Sequence, residues 1–189
     1  MTNEVNQHPQ HSKLVGLVWS IANIIRGPYR PPQYRRVMLP LIVLGRFDAI
    51  LAPYADEMKA CYEKAVANLQ DKTPNVFLQK QLSQIADKNR KQNLYNISGF
   101  NLQKLLDDPD QFTANLTKYI DGFSPKAKDI FAKFEFAKEI EKLDDANRLY
   151  KVFQEFRNGL VESGLSLSTS SVSNLQMGYL FEELVRKFN

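Results

Sequence analysis

Five arginines, Arg26, Arg30, Arg35, Arg36 and Arg46, fall between Trp19 and Leu51, WSIANIIRGPYRPPQYRRVMLPLIVLGRFDAIL, against a single acid, Asp48. Guanidinium forks match the paired oxygens of phosphate, so such a cluster suits a polyanion. Pro28, Pro31 and Pro32 stiffen the loop that carries Arg30 and its neighbours. Arg26, Arg30, Arg35 and Arg36 are therefore the candidates for contact with a DNA backbone. Arg46 is set apart, because Asp48 lies two residues on and suits a structural pair with it. If all five met phosphates, log K would fall with log salt at a slope of about −4 to −5. The plainer alternative is a solvated helix face and loop. Tyr29 and Tyr34 interleave with the arginines. They can stack on an exposed base, although packing against the proline-rich loop is the favoured reading.

Other residue types give little chemistry. Glu182-Glu183 and Asp144-Asp145 are sequence neighbours, so each pair points to different helix faces and makes no catalytic dyad by spacing. His8 and His11 lie in a polar tail, a poor metal site, and no Cys/His cluster has zinc-ligand spacing. Cys61, the only cysteine, reads as a small buried residue. No nucleophile–base constellation is evident. The expectation is a chain with no catalytic, cofactor-binding or metal residues of its own.

The elements that must position the arginines follow an all-α pattern. Residues 1–12 read as a disordered tail, and residues 13–189 as a helical domain. Ser12 suits an N-cap, followed by an apolar face of Leu14, Leu17, Val18, Ile21, Ile24 and Ile25. Gly27 and Pro28 stop that helix, and a second is expected over 32–51, with Pro40 in its interior and bending it. Further helices are expected over 55–69, 76–88, 102–106, 110–120, 125–141 and 145–158, with Ser124-Pro125 as a start signal. The Ser/Gly-rich run 159–174 reads as a loop. The last helix begins near Ser173 and buries Met177, Leu180, Phe181, Leu184, Val185 and Phe188. That stripe, with Met177, Leu180, Phe181, Leu184 and Phe188 foremost, can be a docking surface for another domain or subunit or an ordinary core face, and both hold if one face packs inward while the distal end is left uncovered. Phe188, one residue from the end, is expected to be more exposed than it would be in a longer subunit, leaving an apolar patch that favours self-association.

Composition sets the frame. The 189 residues are 43% hydrophobic and 24% charged, ordinary for a globular protein of one domain or one domain with an arm. Residues 1–90 hold 12 basic and 7 acidic side chains, residues 91–189 hold 13 and 14, so the whole net charge of +4 comes from the first half. Such an excess permits an anionic partner without requiring one. The polar start MTNEVNQHPQHS is no secretory signal. The longest apolar run, residues 37–44, is far short of the ~20 residues a membrane span needs. With a lone thiol, this fits a cytoplasmic protein without membrane contact.

The arginine-rich block is the first of five that occur in order. The others are SGFNLQKLLDDP (Ser98–Pro109), YIDGFSPKAKDIFAKFEF (Tyr119–Phe136), IEKLDDANRLY (Ile140–Tyr150) and VSNLQMGYLFEELVRKF (Val172–Phe188). In order and spacing they resemble the N-terminal helical domain of the modification subunit of type I restriction–modification systems, the HsdM-type adenine-N6 DNA methyltransferases. The resemblance implies a parent subunit that methylates adenine from S-adenosylmethionine. It also implies a specificity subunit that reads the DNA, a second modification subunit that closes around it, a restriction subunit, and the chain's own catalytic domain as partners. That chemistry requires a glycine-rich cofactor turn and an Asn-Pro-Pro-aromatic loop around the flipped base. No two of the eight glycines have one residue between them, and the only Pro-Pro, Pro31-Pro32, lies between Arg30 and Gln33. The chain is thus expected to be a fragment or an orphan domain, supplying subunit-assembly and DNA-clamping contacts without catalysis. The alternative is a freestanding helical protein-interaction module with no nucleic-acid role.

Overall fold

The helices of the computed structural model follow the apolar spacing of the chain, and the described residues are 9–88 and 93–188. Among them the order is α1 (Pro9–Ile25), α2 (Arg35–Leu51), α3 (Ala55–Val66), α4 (Val76–Ala86), α5 (Leu102–Leu106), α6 (Phe112–Asp121), α7 (Pro125–Lys133), α8 (Phe136–Asp145), α9 (Leu149–Glu162) and α10 (Asn174–Lys187). Short 3-10 turns at Pro31–Gln33, Ala52–Tyr54 and Pro109–Gln111 lead into α2, α3 and α6. The described residues contain no strand, only the two isolated bridges Arg26–Tyr29 and Asn96–Phe123. Residues 1–8 of the expected tail, with His8, lie outside the described residues, as does the side chain of His11. Because α1 already begins at Pro9, Ser12 lies inside the helix and does not cap it.

Two compact units divide the chain at Gly45 and Glu135. The first combines the N-terminal residues through Gly45 with those from Phe136 onward. Its core contains the predicted α1 face, Leu14, Leu17, Val18, Ile21 and Ile25, whereas Ile24 is only half-buried. From α2 come Val37, Met38, Leu41, Ile42 and Leu44, and from α9 Leu149, Val152, Phe153 and Phe156. Leu165 and Leu167, in the Ser-rich loop, are also buried. Ser173 caps α10 by accepting from the Gln176 N–H at 3.2 Å, and the Gln176 side chain accepts from the Ser173 N–H at 2.8 Å. This capping box fixes the start that the sequence suggested.

The second unit, Arg46–Glu135, is centred on aromatic contacts. Phe123 lies 4.9 Å from Tyr119, 5.5 Å from Phe131 and 5.7 Å from Phe47, centroid to centroid. Asp48, near the end of α2, accepts from the Leu102 N–H at 2.9 Å and the Tyr119 hydroxyl at 2.8 Å. It thereby ties the start of α5 and the last turn of α6 to the end of α2. Cys61 is half-buried here, more exposed than expected.

One helix expected over 125–141 is two, because Glu135 adopts φ 53°. The left-handed region ends α7 at that point. Asn147, φ 54°, likewise separates α8 from α9, and the Arg148 N–H returns to the Leu143 carbonyl at 2.8 Å. The helical run Pro31–Val66 is long and apolar enough, by length and composition alone, to cross a membrane. Its side chains Val37, Met38, Leu41, Ile42, Leu44 and Leu51 are buried inside the protein, so core packing accounts for that composition.

Gly45 is needed for close packing in the first unit. A Cβ there would come within 2.6 Å of the Phe156 ring, whose atoms cannot fold away as a flexible chain end can. Gly45→Ala should therefore cost about 1–3 kcal/mol of stability by overpacking. A urea denaturation midpoint equal to or above that of the parent chain would contradict this packing.

Candidate functional site

The arginine-rich segment folds into the connection between α1 and α2 in the first unit. Gly27, at φ 109°, turns the chain out of α1. The Tyr29 N–H then bonds the Ile25 carbonyl at 3.1 Å. The Gln33 side chain accepts from the Arg30 N–H at 3.0 Å, and the Gln33 N–H reaches the Arg30 carbonyl at 2.8 Å, closing the turn before α2. Arg26, Arg30 and Arg36 are exposed along this connection, and Arg35 is half-buried. Arg26 donates to the Asn23 side chain at 3.3 Å. Arg46 is buried, and burial pulls its guanidinium below the usual value. It falls in the second unit and is not among the exposed set.

Both tyrosines pack, as the favoured reading held. Tyr29 is 2% exposed, and its hydroxyl donates to Glu139 Oε2 at 2.7 Å. Glu139 is itself buried, on the stripe Phe136, Glu139, Ile140, Leu143 of α8. A hydrogen bond to a charged group of this kind contributes about 1.5–3 kcal/mol. The Lys142 ammonium sits 4.0 Å from the centroid of the Tyr29 ring. Neither α8 residue was singled out by sequence reasoning. The signal for Glu139 was present: it is the one acid on an otherwise apolar i, i+3, i+4, i+7 stripe. For Lys142 there was none, since its relation to Tyr29 is purely tertiary.

At the other end of the connection Tyr34 is buried edge-on to Phe188, 5.6 Å between centroids. Phe188 also meets Trp19 at 5.5 Å. The expectation of an exposed Phe188 is thus corrected: it is 3% exposed, because Trp19 and Tyr34 cover it. Met177, Leu180 and Leu184 are buried too, while Phe181 is half-buried. Met177, Leu180, Leu184 and Phe188 thus belong to the core, and the large apolar side chains that α10 exposes are Leu175 and Tyr179.

The described residues contain no group of three or more His, Cys, Asp or Glu able to hold a metal ion. The glycines with positive φ, Gly27, Gly99 and Gly164, stand in three separate turns. That arrangement does not fit S-adenosylmethionine, which requires a clustered glycine turn, and no chemical step runs through that cofactor here.

Three tyrosines have phenols held above their ordinary value. Burial raises Tyr29, the hydrogen bond and charge of Glu139 raise it further, and Arg36 pulls the opposite way. Burial pushes Tyr95 up to about 12. Burial, then Asp48, holds Tyr119 well above 10. An unfolded tyrosine titrates near ~10. A raised folded value means that the stability linked to these phenols is fully present below ~10 and is lost as pH rises through the folded values. Alkaline titration followed by phenolate absorbance should therefore show a group of phenols that ionise only on unfolding, with one fewer in Tyr29→Phe. A single normal transition for all tyrosines in the folded chain would refute it.

A family model described as the HsdM N-terminal domain matches residues 14–156, more than half of the chain. No curated protein and no solved structure matches.

Proposed function

The chain belongs to the HsdM N-terminal domain family, and from that premise we propose that it supplies assembly and DNA-clamping contacts to a type I restriction–modification methyltransferase. The parent enzyme transfers a methyl group from S-adenosylmethionine to adenine N6 in DNA. This domain contributes no catalytic group. The cofactor belongs to the catalytic domain, and target choice to a specificity subunit. A second modification subunit and a restriction subunit complete the set of partners, in the cytoplasm.

The observation that carries the DNA part is the connection between α1 and α2. It presents Arg26, Arg30 and Arg36 to solvent on a backbone anchored by two buried tyrosines, with Arg35 beside them. A cationic loop held in place loses little freedom on meeting phosphates, and so binds with less entropic penalty than a mobile one. No base-reading geometry is required of it. Such contacts position a protein on a duplex and carry no sequence information.

The test is a titration of labelled duplex DNA with the chain at several salt concentrations. Weak, sequence-independent binding is expected. Its log–log salt slope should become shallower by about 0.9 for each phosphate contact removed. Arg30→Ala, Arg35→Ala and Arg36→Ala combined should thus flatten the slope by up to about 2.7. Absence of binding by the parent chain at low salt, or an unchanged slope in the triple variant, would rule out the backbone-contact role and leave the arginines as a protein-docking or solvated face.

A further inference from the structure

The surroundings of Tyr29 extend the basic face beyond the loop. Residues 29 and 139 are 110 positions apart, yet the hydroxyl of one and the carboxyl of the other are 2.7 Å apart and buried. The same hydroxyl lies 3.4 Å from the Glu139 carbonyl. One helical turn on from Glu139, the exposed Lys142 holds its ammonium 4.0 Å from the Tyr29 ring centroid. A cation over a phenol face is attracted by the ring quadrupole, which restrains an otherwise mobile lysine. Arg36 also acts on Tyr29, lowering the pKa that burial and Glu139 raise. The ring between the loop and α8 is thus covered by a cation from α8, while the positive charge of Arg36 in α2 is felt at its hydroxyl. Glu139 faces the same ring, but its carboxyl is engaged inward by the Tyr29 hydroxyl.

We propose that Lys142 of α8 belongs to the same phosphate-binding face as the α1–α2 arginines, and that the Tyr29–Glu139 hydrogen bond is the clasp that positions the two parts of that face. The inference rests on the DNA-backbone reading above and adds to it a residue from a distant segment and a positioning device. Lys142 contacts the phosphate. Tyr29 and Glu139 act through the cations they place.

Charge-neutral and charge-matched variants separate position from charge. Lys142→Gln should flatten the salt slope for duplex DNA by about 0.9, the effect of one contact. Tyr29→Phe changes no charge, yet it should weaken binding several-fold and flatten the slope. Glu139→Ala and Glu139→Gln both remove the negative charge, but only the amide retains a side-chain acceptor in place of the one at 2.7 Å from Tyr29. Glu139→Gln should therefore bind DNA better than Glu139→Ala. Hydrogen exchange at the Gln33 and Tyr34 amides, read without DNA, should quicken in Tyr29→Phe and Glu139→Ala and stay slow in Glu139→Gln. Salt-sensitive binding by the parent chain with a slope unmoved by Lys142→Gln would overturn the assignment of Lys142 while leaving the arginine reading intact. Equal behaviour of the two Glu139 variants in binding and exchange would overturn the clasp. No binding by the parent chain would remove the DNA reading and Lys142 with it, whereas the clasp would still stand or fall on the exchange rates.

Discussion

A carboxyl group taken out of water needs a hydrogen-bond donor, and the donor that Glu139 receives comes from the loop it holds. Glu139 occupies a core position of α8, between Phe136 and Leu143. Replacing the Tyr29 hydroxyl with a group that cannot donate would leave a buried acid without its partner at 2.7 Å. The interaction therefore constrains both sides: α8 must present its apolar stripe to the first unit, and the chain leaving α1 must return to meet it. The turn at Gly27 and the closing hydrogen bonds of Arg30 and Gln33 follow from that requirement.

The far end of the same connection is held by different physics. Tyr34 has no acid partner there. It lies edge-on to Phe188, which also packs against Trp19, and such aromatic pairs add about 0.5–1.5 kcal/mol beyond their area burial. One anchor is polar and directional, the other apolar and set by shape. Between them the backbone of residues 29–34 has two fixed points, and the exposed arginines extend from it. The Lys187 ammonium, 5.9 Å from the Trp19 ring centroid, places one more positive charge beside the aromatic anchor.

The all-α architecture was legible because helical periodicity is a local property. The α1 face, the α5 bounds and the Ser173 start all follow from residues within a turn or two of each other. Glu135 was illegible for the opposite reason. It takes a positive φ within a run whose apolar spacing shows no glycine or proline break, so the signals that usually mark a helix end were missing. The family was legible from five ordered blocks, and the match over residues 14–156 bears it out. Of the candidate interface, the exposure of Arg26, Arg30 and Arg36 agreed with the pattern. The burial of Phe188 did not, because nothing near it in sequence announces Trp19, 169 positions earlier. Lys142 was invisible for the same reason.

The division of the chain at Gly45 and Glu135 also orders events in time. The second unit is one uninterrupted stretch of ninety residues, Arg46–Glu135, so all of it is synthesised before α8. The first unit consists of two ends. Its α1 packs on α9, and its residues Trp19 and Tyr34 await Phe188. Closing so long an intervening loop has an entropic cost that grows only as the logarithm of its length, and a folded insert already shortens the gap. The arginine-bearing connection is therefore synthesised before either of its anchoring partners, and its two fixed points arise only once Glu139 and Phe188 have been made.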